Sequence, residues 1–210
     1  MTHSVRLIHI TPNAEERITY MARVSNPANQ DNTKTSAKLI KYLIDHKHWS
    51  PFEMVSMCVE IETTRSIAAQ ILRHRSFSFQ EFSQRYAEVS QSASVPELRR
   101  QDTKNRQNSI DDLDPAVVKR LSRRIEFLYE NASSLYSDLI EAGVAKECAR
   151  EVLPLATPTR LYMHGTVRSW IHYCQLRCGN GTQKEHQIIA REAWKLLEEH
   201  LPNVCVSLDV

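Results

Sequence analysis

Met54-Val55-Ser56-Met57-Cys58-Val59-Glu60-Ile61-Glu62 runs without a break into Thr63-Thr64-Arg65-Ser66-Ile67-Ala68-Ala69-Gln70-Ile71-Leu72-Arg73. The first part alternates, with Val55, Met57, Val59 and Ile61 on one face and Ser56, Cys58, Glu60 and Glu62 on the other. A period of two predicts a half-buried strand over Met54 to Glu62. The second part switches to helical spacing, with Ile67, Ala68, Ile71 and Leu72 turned inward. Thr63-Thr64 supplies hydroxyls that cap such a helix, which is predicted to run to about Arg73.

Upstream, Val5 to Ile10 reads as a strand within an alternating stretch from Met1 to Pro12. Ala14 to Val24 reads as a helix with Pro12-Asn13 as its start signal, and Thr35 to His46 as another, striped by Leu39, Ile40, Leu43 and Ile44. Downstream, Ser90 to Asp114 is polar, of mixed charge and without clear period, so a long loop is expected. Asp114-Pro115 opens the longest helix, ended by Gly143 and striped by Val118, Leu121, Ile125, Leu128, Leu135 and Leu139. A short helix follows from Ala145 to Leu153, then a strand near Thr159 to Met163. Two more helices, Thr166 to Arg177 and Gln183 to Leu201, close the chain. This order predicts a helix-rich α+β fold, and 210 residues suit a single domain, 1–210.

Composition narrows the function. With 27 Lys+Arg against 25 Asp+Glu, the net charge of +2 gives little general attraction for nucleic acid, so none is expected as a partner. The N-terminal stretch lacks the pattern of a signal peptide, and no apolar run suits a bilayer, so no membrane association is expected. The five cysteines, Cys58, Cys148, Cys174, Cys178 and Cys205, form no disulfide framework and predict reduced thiols in a cytoplasmic setting. Cys174 and Cys178 are spaced to share a helix face, yet no further ligands complete a metal set, so buried thiols are expected and no metal. The 4 glycines cannot spell a Gly-rich phosphate loop. A phosphorylated ligand would have to be held by Arg, Lys, Ser or a helix N-terminus.

Arg73-His74-Arg75-Ser76-Phe77-Ser78-Phe79-Gln80-Glu81-Phe82-Ser83-Gln84-Arg85-Tyr86 is unusually dense in such groups. Cations at a helix C-terminus have an ordinary explanation in the helix dipole. On a regular helix, residues two apart point to nearly opposite sides, so Arg73 and Arg75 would serve two ligand groups or two sides of an interface. Ser83 and Arg85 suit a phosphate, because a guanidinium donates two parallel hydrogen bonds. Glu81 would repel phosphate and suits a sugar hydroxyl or a base donor. The residues alone fit either a nucleotide site or a surface salt-bridge network.

The run Arg73-His74-Arg75, Ser78, Ser83 and Arg85-Tyr86 resembles the signature of flavin-dependent thymidylate synthases. So do His48-Trp49-Ser50-Pro51-Phe52-Glu53 upstream, Gln70 before the signature, Ala149-Arg150-Glu151-Val152-Leu153-Pro154, and Arg168-Ser169-Trp170 through Leu176-Arg177. The resemblance implies a single α+β domain with a small, mostly antiparallel sheet. It implies methylation of dUMP to dTMP, with methylenetetrahydrofolate as carbon donor, NADPH as reductant and FAD as hydride carrier. It also implies a homotetramer with sites between subunits. By resemblance, Ser50, Arg73, His74, Arg75, Glu81, Thr166, Arg168 and His172 contact FAD. Gln70, Arg73, Glu81, Ser83, Gln84, Arg85, Arg150 and Arg177 contact dUMP. Arg177 is the catalytic group beside the pyrimidine, where its charge favours the enolate-like ring. No enzyme nucleophile is then required, and no cysteine falls at a matching position.

Met54 stands where many members carry His, Thr166 where Asn is common, and Gly181 near a position where His is common. Each removes a possible flavin contact and gives His74 and His172 more weight. His48 is expected to be partly buried, and Trp49, Trp170 and Trp194 to act as core or interface anchors. The competing expectation is a non-enzymatic nucleotide- or RNA-binding module using Arg73, Arg75, Arg85, Arg99-Arg100 and Arg123-Arg124. A purely structural oligomer is a third.

Overall fold

The computed structural model describes residues 3–208. In chain order, β1 (Ser4–Ile10), α1 (Ala14–Ala22), a 3-10 turn (Pro27–Asn29), α2 (Ser36–Asp45), a second 3-10 turn (Ser50–Glu53), β2 (Ser56–Thr64) and α3 (Arg65–Ile71) come first. There follow β3 (Ser78–Glu81), β4 (Arg100–Gln101), β5 (Ser109–Ile110), α4 (Pro115–Glu141), α5 (Lys146–Ala149) and a third 3-10 turn (Arg150–Val152). The chain ends with β6 (Pro158–Thr166), α6 (Val167–Arg177), α7 (Lys184–His200) and α8 (Pro202–Val206). About half of the chain is helical, and the sheet is small and antiparallel, as the α+β expectation requires. Its strand order is β1-β2-β6-β3. β4 and β5 form a separate antiparallel ribbon, Arg100 opposite Ile110 and Gln101 opposite Ser109.

The helix starts follow from side-chain capping. The Thr64 hydroxyl accepts from the Ile67 amide, Thr166 from Ser169, and the Asp114 carboxylate from Ala116 and Val117. α1 starts differently: Asn13 takes a left-handed conformation, φ 51°, and offers no side-chain cap. Four segments were not legible as elements: β3, the β4–β5 ribbon inside the expected loop, and α8. α3 ends at Ile71, so Arg73 lies in a turn and not on a helix. The geometric contrast between Arg73 and Arg75 therefore does not arise from helical spacing. Met1 and Thr2 of the expected N-terminal strand lie outside the described residues.

The chain divides into two compact units. One comprises His3, Glu62–Arg73 and Gln80–Leu161; the other runs through Ser4–Ile61, His74–Phe79 and from Tyr162 onward. In the second unit α1 packs on α2, α6 on α7, and α8 on both α2 and α7. Its core includes Ile18, Ile40, Phe52, Met57, Met163 and Trp170, all fully buried. The Trp170 indole donates to the Met57 carbonyl at 2.9 Å, satisfying its one polar atom. Phe77 lies 2.5 Å from where a Cβ of Gly165 would stand, so this glycine admits the aromatic ring of the signature. His48 is exposed against expectation, its ring lying beside Tyr42 and His46.

In the first unit, Arg65 and Ser66 amides donate to the Thr157 and Leu155 carbonyls and fix the start of α3. α4 packs on α5, yet Tyr136 is its only buried residue across 27 positions. Among the described residues no helix is long and apolar enough to cross a membrane.

Candidate functional site

The structure distributes the expected site residues between the two units. Gln70, Arg73, Glu81, Ser83, Gln84, Arg85 and Arg150 belong to the first. Ser50, His74, Arg75, Thr166, Arg168, His172 and Arg177 belong to the second.

In the first unit, Glu81 closes β3 and is held hard. Arg65 Nη1 reaches Glu81 Oε1 at 2.5 Å, and the Thr159 hydroxyl donates to the same oxygen at 2.9 Å. Among the described residues Oε2 has no partner, so it is the oxygen that can reach a ligand. Arg65 and Thr159 were not singled out in the sequence. Their partner lies 16 and 78 positions away, and neither separation leaves a local pattern.

After β3 the chain turns at Ser83, whose carbonyl accepts from the Tyr86 and Ala87 amides. Gln84 is buried by this turn, and its side-chain nitrogen has no hydrogen-bond partner. An unsatisfied buried donor is costly and marks a place where a ligand acceptor would be welcome. Arg85 is exposed and pairs with Glu147 of α5 at 3.0 Å. Arg150 Nε donates to the Glu147 backbone carbonyl at 3.3 Å. The structure thus brings the two expected phosphate arginines to one residue. Both partners of the Arg85–Glu147 pair are more than half exposed, so the pair is weak and can yield to an anion. Lys146, also on α5, reaches the Tyr86 carbonyl at 3.4 Å and Glu88 at 3.5 Å, tying down the same loop. Gln70 is half-buried on α3, and Arg73 beyond it is exposed.

In the second unit, α6 organises the site. Thr166 caps it, with the hydroxyl engaged by the Ser169 amide and side chain at 3.2 Å. Arg168 and His172 stand four apart on its exposed face. Arg168 pairs with Glu53 from the 3-10 turn that Ser50 begins. This shared anchor ties the upstream block to the downstream one. Ser169 donates to the Ser76 carbonyl at 3.4 Å, steadying the stretch after His74. Arg75 and Ser50 are exposed, and Met54 is 56% exposed.

Arg177 ends α6 half-buried. Its Nε donates to His74 Nε2 at 2.9 Å, across 103 positions of sequence. Among the described residues its terminal nitrogens have no hydrogen-bond partner. The guanidinium is therefore held by one edge and open at the other. Behind this pair stand Tyr173 and His186, which the sequence had not marked. Burial pushes the Tyr173 phenol up and the His186 imidazole down to about 3.

The thiols are free. Cys174 is buried, Cys178 half-buried, and desolvation raises the pKa of both. Among the described residues no His, Cys, Asp or Glu group is placed to hold a metal ion. The basic tract at 99–100 is locally neutralised: Arg99 pairs with Glu97, and Arg100 meets both oxygens of Asp112 at 2.8 and 2.6 Å.

The family model described as "Thymidylate synthase complementing protein" matches residues 6–203. The "Probable flavin-dependent thymidylate synthase" of Paramecium bursaria Chlorella virus 1 is 49% identical over 213 residues, 98% of this chain and 99% of that protein. The "Flavin-dependent thymidylate synthase" of Synechocystis sp. is 52% identical over 195 residues, 93% of this chain and 89% of that protein. Among solved structures, the UMP/dUMP methylase PolB from Streptomyces cacaoi, bound with 5-Br dUMP, superposes with a TM-score of 0.87. It is 26% identical, with 98% of this chain and 93% of that chain covered.

Proposed function

This chain belongs to the family of flavin-dependent thymidylate synthases, and from that premise we propose how its residues divide the reaction. The protein is a methyltransferase that converts dUMP to dTMP with a flavin. Methylenetetrahydrofolate gives the carbon and NADPH the electrons. The two units serve as one functional domain, since the family match runs through both.

dUMP falls to the first unit's residues. Arg85 and Arg150 take the phosphate in place of Glu147, and the Ser83 hydroxyl adds a donor. Gln84 offers its unpaired nitrogen to a pyrimidine or phosphate acceptor, and Glu81 Oε2 accepts from a sugar hydroxyl or base N–H. Gln70 and Arg73 complete that side.

FAD falls to the second unit's Ser50, His74, Arg75, Thr166, Arg168 and His172. The donor set fits: exposed arginines and hydroxyls without a glycine loop suit an anionic dinucleotide. When bound, the flavin supplies hydride carriage from NADPH. Thr166 contributes as the cap that orients α6, since its hydroxyl is already engaged.

Arg177 is the catalytic group. Methylation at C5 requires negative charge to build on the pyrimidine, and a fixed guanidinium at a carbonyl edge stabilises that charge. The observation that carries this role is the Arg177–His74 bond, which orients Nε and leaves the terminal nitrogens for the ring.

The chain assembles as a homotetramer, and α4 supports a contact between copies. Val118, Leu121, Ile125, Leu128, Leu135 and Leu139 share one face at alternating spacings of three, four and seven, yet Leu128 is 62% and Leu135 47% exposed. Such a face calls for another helix. We place the protein in the cytoplasm. A non-enzymatic RNA-binding role is disfavoured by the ion pairs that neutralise Arg99 and Arg100.

The decisive experiment is tritium release from C5-labelled dUMP, run with and without added FAD, NADPH and folate. Release that needs all three is expected. A colourless protein that releases no tritium and leaves NADPH unoxidised would sink the assignment.

A further inference from the structure

A buried polar pair lies behind His74 that the proposed chemistry does not use. Tyr173 on α6 and His186 on α7 are both fully buried. The Tyr173 hydroxyl and His186 Nε2 are 3.0 Å apart, and His186 Nδ1 has no hydrogen-bond partner. An orphaned buried nitrogen destabilises a core, and an apolar side chain would fill this place more favourably if packing were the whole purpose. Both rings meet His74 edge to face. The His74 and Tyr173 centroids are 4.9 Å apart at 77°, and those of His74 and His186 are 6.3 Å apart at 89°.

The Arg177 bond fixes the state of His74. An arginine Nε always carries its hydrogen, so His74 Nε2 must be the acceptor. The ring is then neutral, with its proton on Nδ1. A proton on Nε2 would abolish the bond, and with Nδ1 also protonated it would set an imidazolium against the guanidinium. Orientation matters equally, because only one edge of the imidazole presents Nε2 to Arg177. The Tyr173 ring is the nearest aromatic surface against which that orientation is held, and its own rotation is fixed by the bond to His186.

We infer that Tyr173 and His186 are positioning residues of the methylation: their hydroxyl–imidazole bond fixes the surface on which His74 stands, and so aims Arg177 at the pyrimidine. This role rests on the assignment of Arg177 to that ring. It adds a layer behind the signature that touches neither substrate nor cofactor.

The test uses the flavin-loaded protein with Tyr173→Phe, His186→Leu and the double variant. Two readouts are taken: steady-state turnover with dUMP, and nitrogen-15 spectra of the histidine side chains, with His74→Gln assigning the His74 signals. In the double variant kcat should fall about tenfold while KM for dUMP moves less than about twofold, as for a misaimed catalytic group. The His74 signals should shift away from a single Nδ1–H form. Full turnover, or an unchanged His74 spectrum, in a folded double variant overturns the positioning role. Should that variant fail to fold, Tyr173→Phe alone keeps the ring and is judged by the same two readouts. A parent protein with no turnover would instead overturn the reading of the whole site, which separates the two failures.

Discussion

Arg65 and Thr159 share one oxygen of Glu81 and fix its carboxylate. The Glu81 side chain is 16% exposed and that of Arg65 34%, so the pair is only partly screened by water. Removing one partner strands the other. Arg65→Met is expected to lower stability by about 1–3 kcal/mol in urea unfolding, below the full cost of breaking a deeply buried pair. A midpoint unchanged from the parent would show that Glu81 is solvated without its partner. Arg177 allows a sharper test. In the proposed role its charge stabilises the electron-rich pyrimidine, so Arg177→Ala should cut kcat by about 100-fold and raise KM for dUMP far less. The reverse pattern would make Arg177 a binding residue. Neither contact was legible beforehand. The residue types at 81 and 177 could be matched to a signature, but their partners at 65, 159 and 74 are set by folding and leave no spacing to read.

At the scale of elements, what could be read was what neighbouring residues decide. The alternation over Met54 to Glu62 became a strand in which Met57, Val59 and Ile61 are buried, with Val55 buried just before it, and Thr64 and Asp114 became caps at the expected places. β3 escaped because four residues, Ser78-Phe79-Gln80-Glu81, are too few to show a period, and the sheet holds them by pairing with distant strands. α8 escaped because its five residues, Pro202 to Val206, are too few to show a helical period, although a proline at N1 suits a helix start. The α4 stripe is legible as a face, but what it meets is not. Its periodicity says that something packs there, not that the partner lies in the same chain. If it seats a second copy, Leu128→Glu with Leu135→Glu should lower the mass seen by light scattering while helix content by circular dichroism stays near the parent's. An unchanged mass would remove α4 from the oligomer interface.

For the whole molecule, the family was legible because four blocks of specific sequence occur in order, whereas the split of the site residues into two compact units was not. Linear order interleaves the units: Arg73 belongs to one and His74 to the other, so no scan along the chain separates them. Global stability also carries a term that only the fold reveals. His186 is fully buried, and desolvation, with the charge of Arg177 adding to it, lowers its pKa from 6.5 to about 3. Above 6.5 the imidazole is neutral in both folded and unfolded chains and contributes no pH dependence. Between 6.5 and about 3 the unfolded chain binds a proton that the folded one refuses. Stability therefore falls with falling pH in that window, by about 1.4 kcal/mol per unit from this residue alone. Below about 3 both states are protonated, and the term stops growing. His186→Leu removes the titrating group, so unfolding free energies from urea titrations at a series of pH values should decline less steeply in the variant. Other groups titrate alike in both proteins and cancel in the difference. Parallel declines for parent and variant through that window would mean that the folded protein accepts the proton, and that His186 is reached by water in solution.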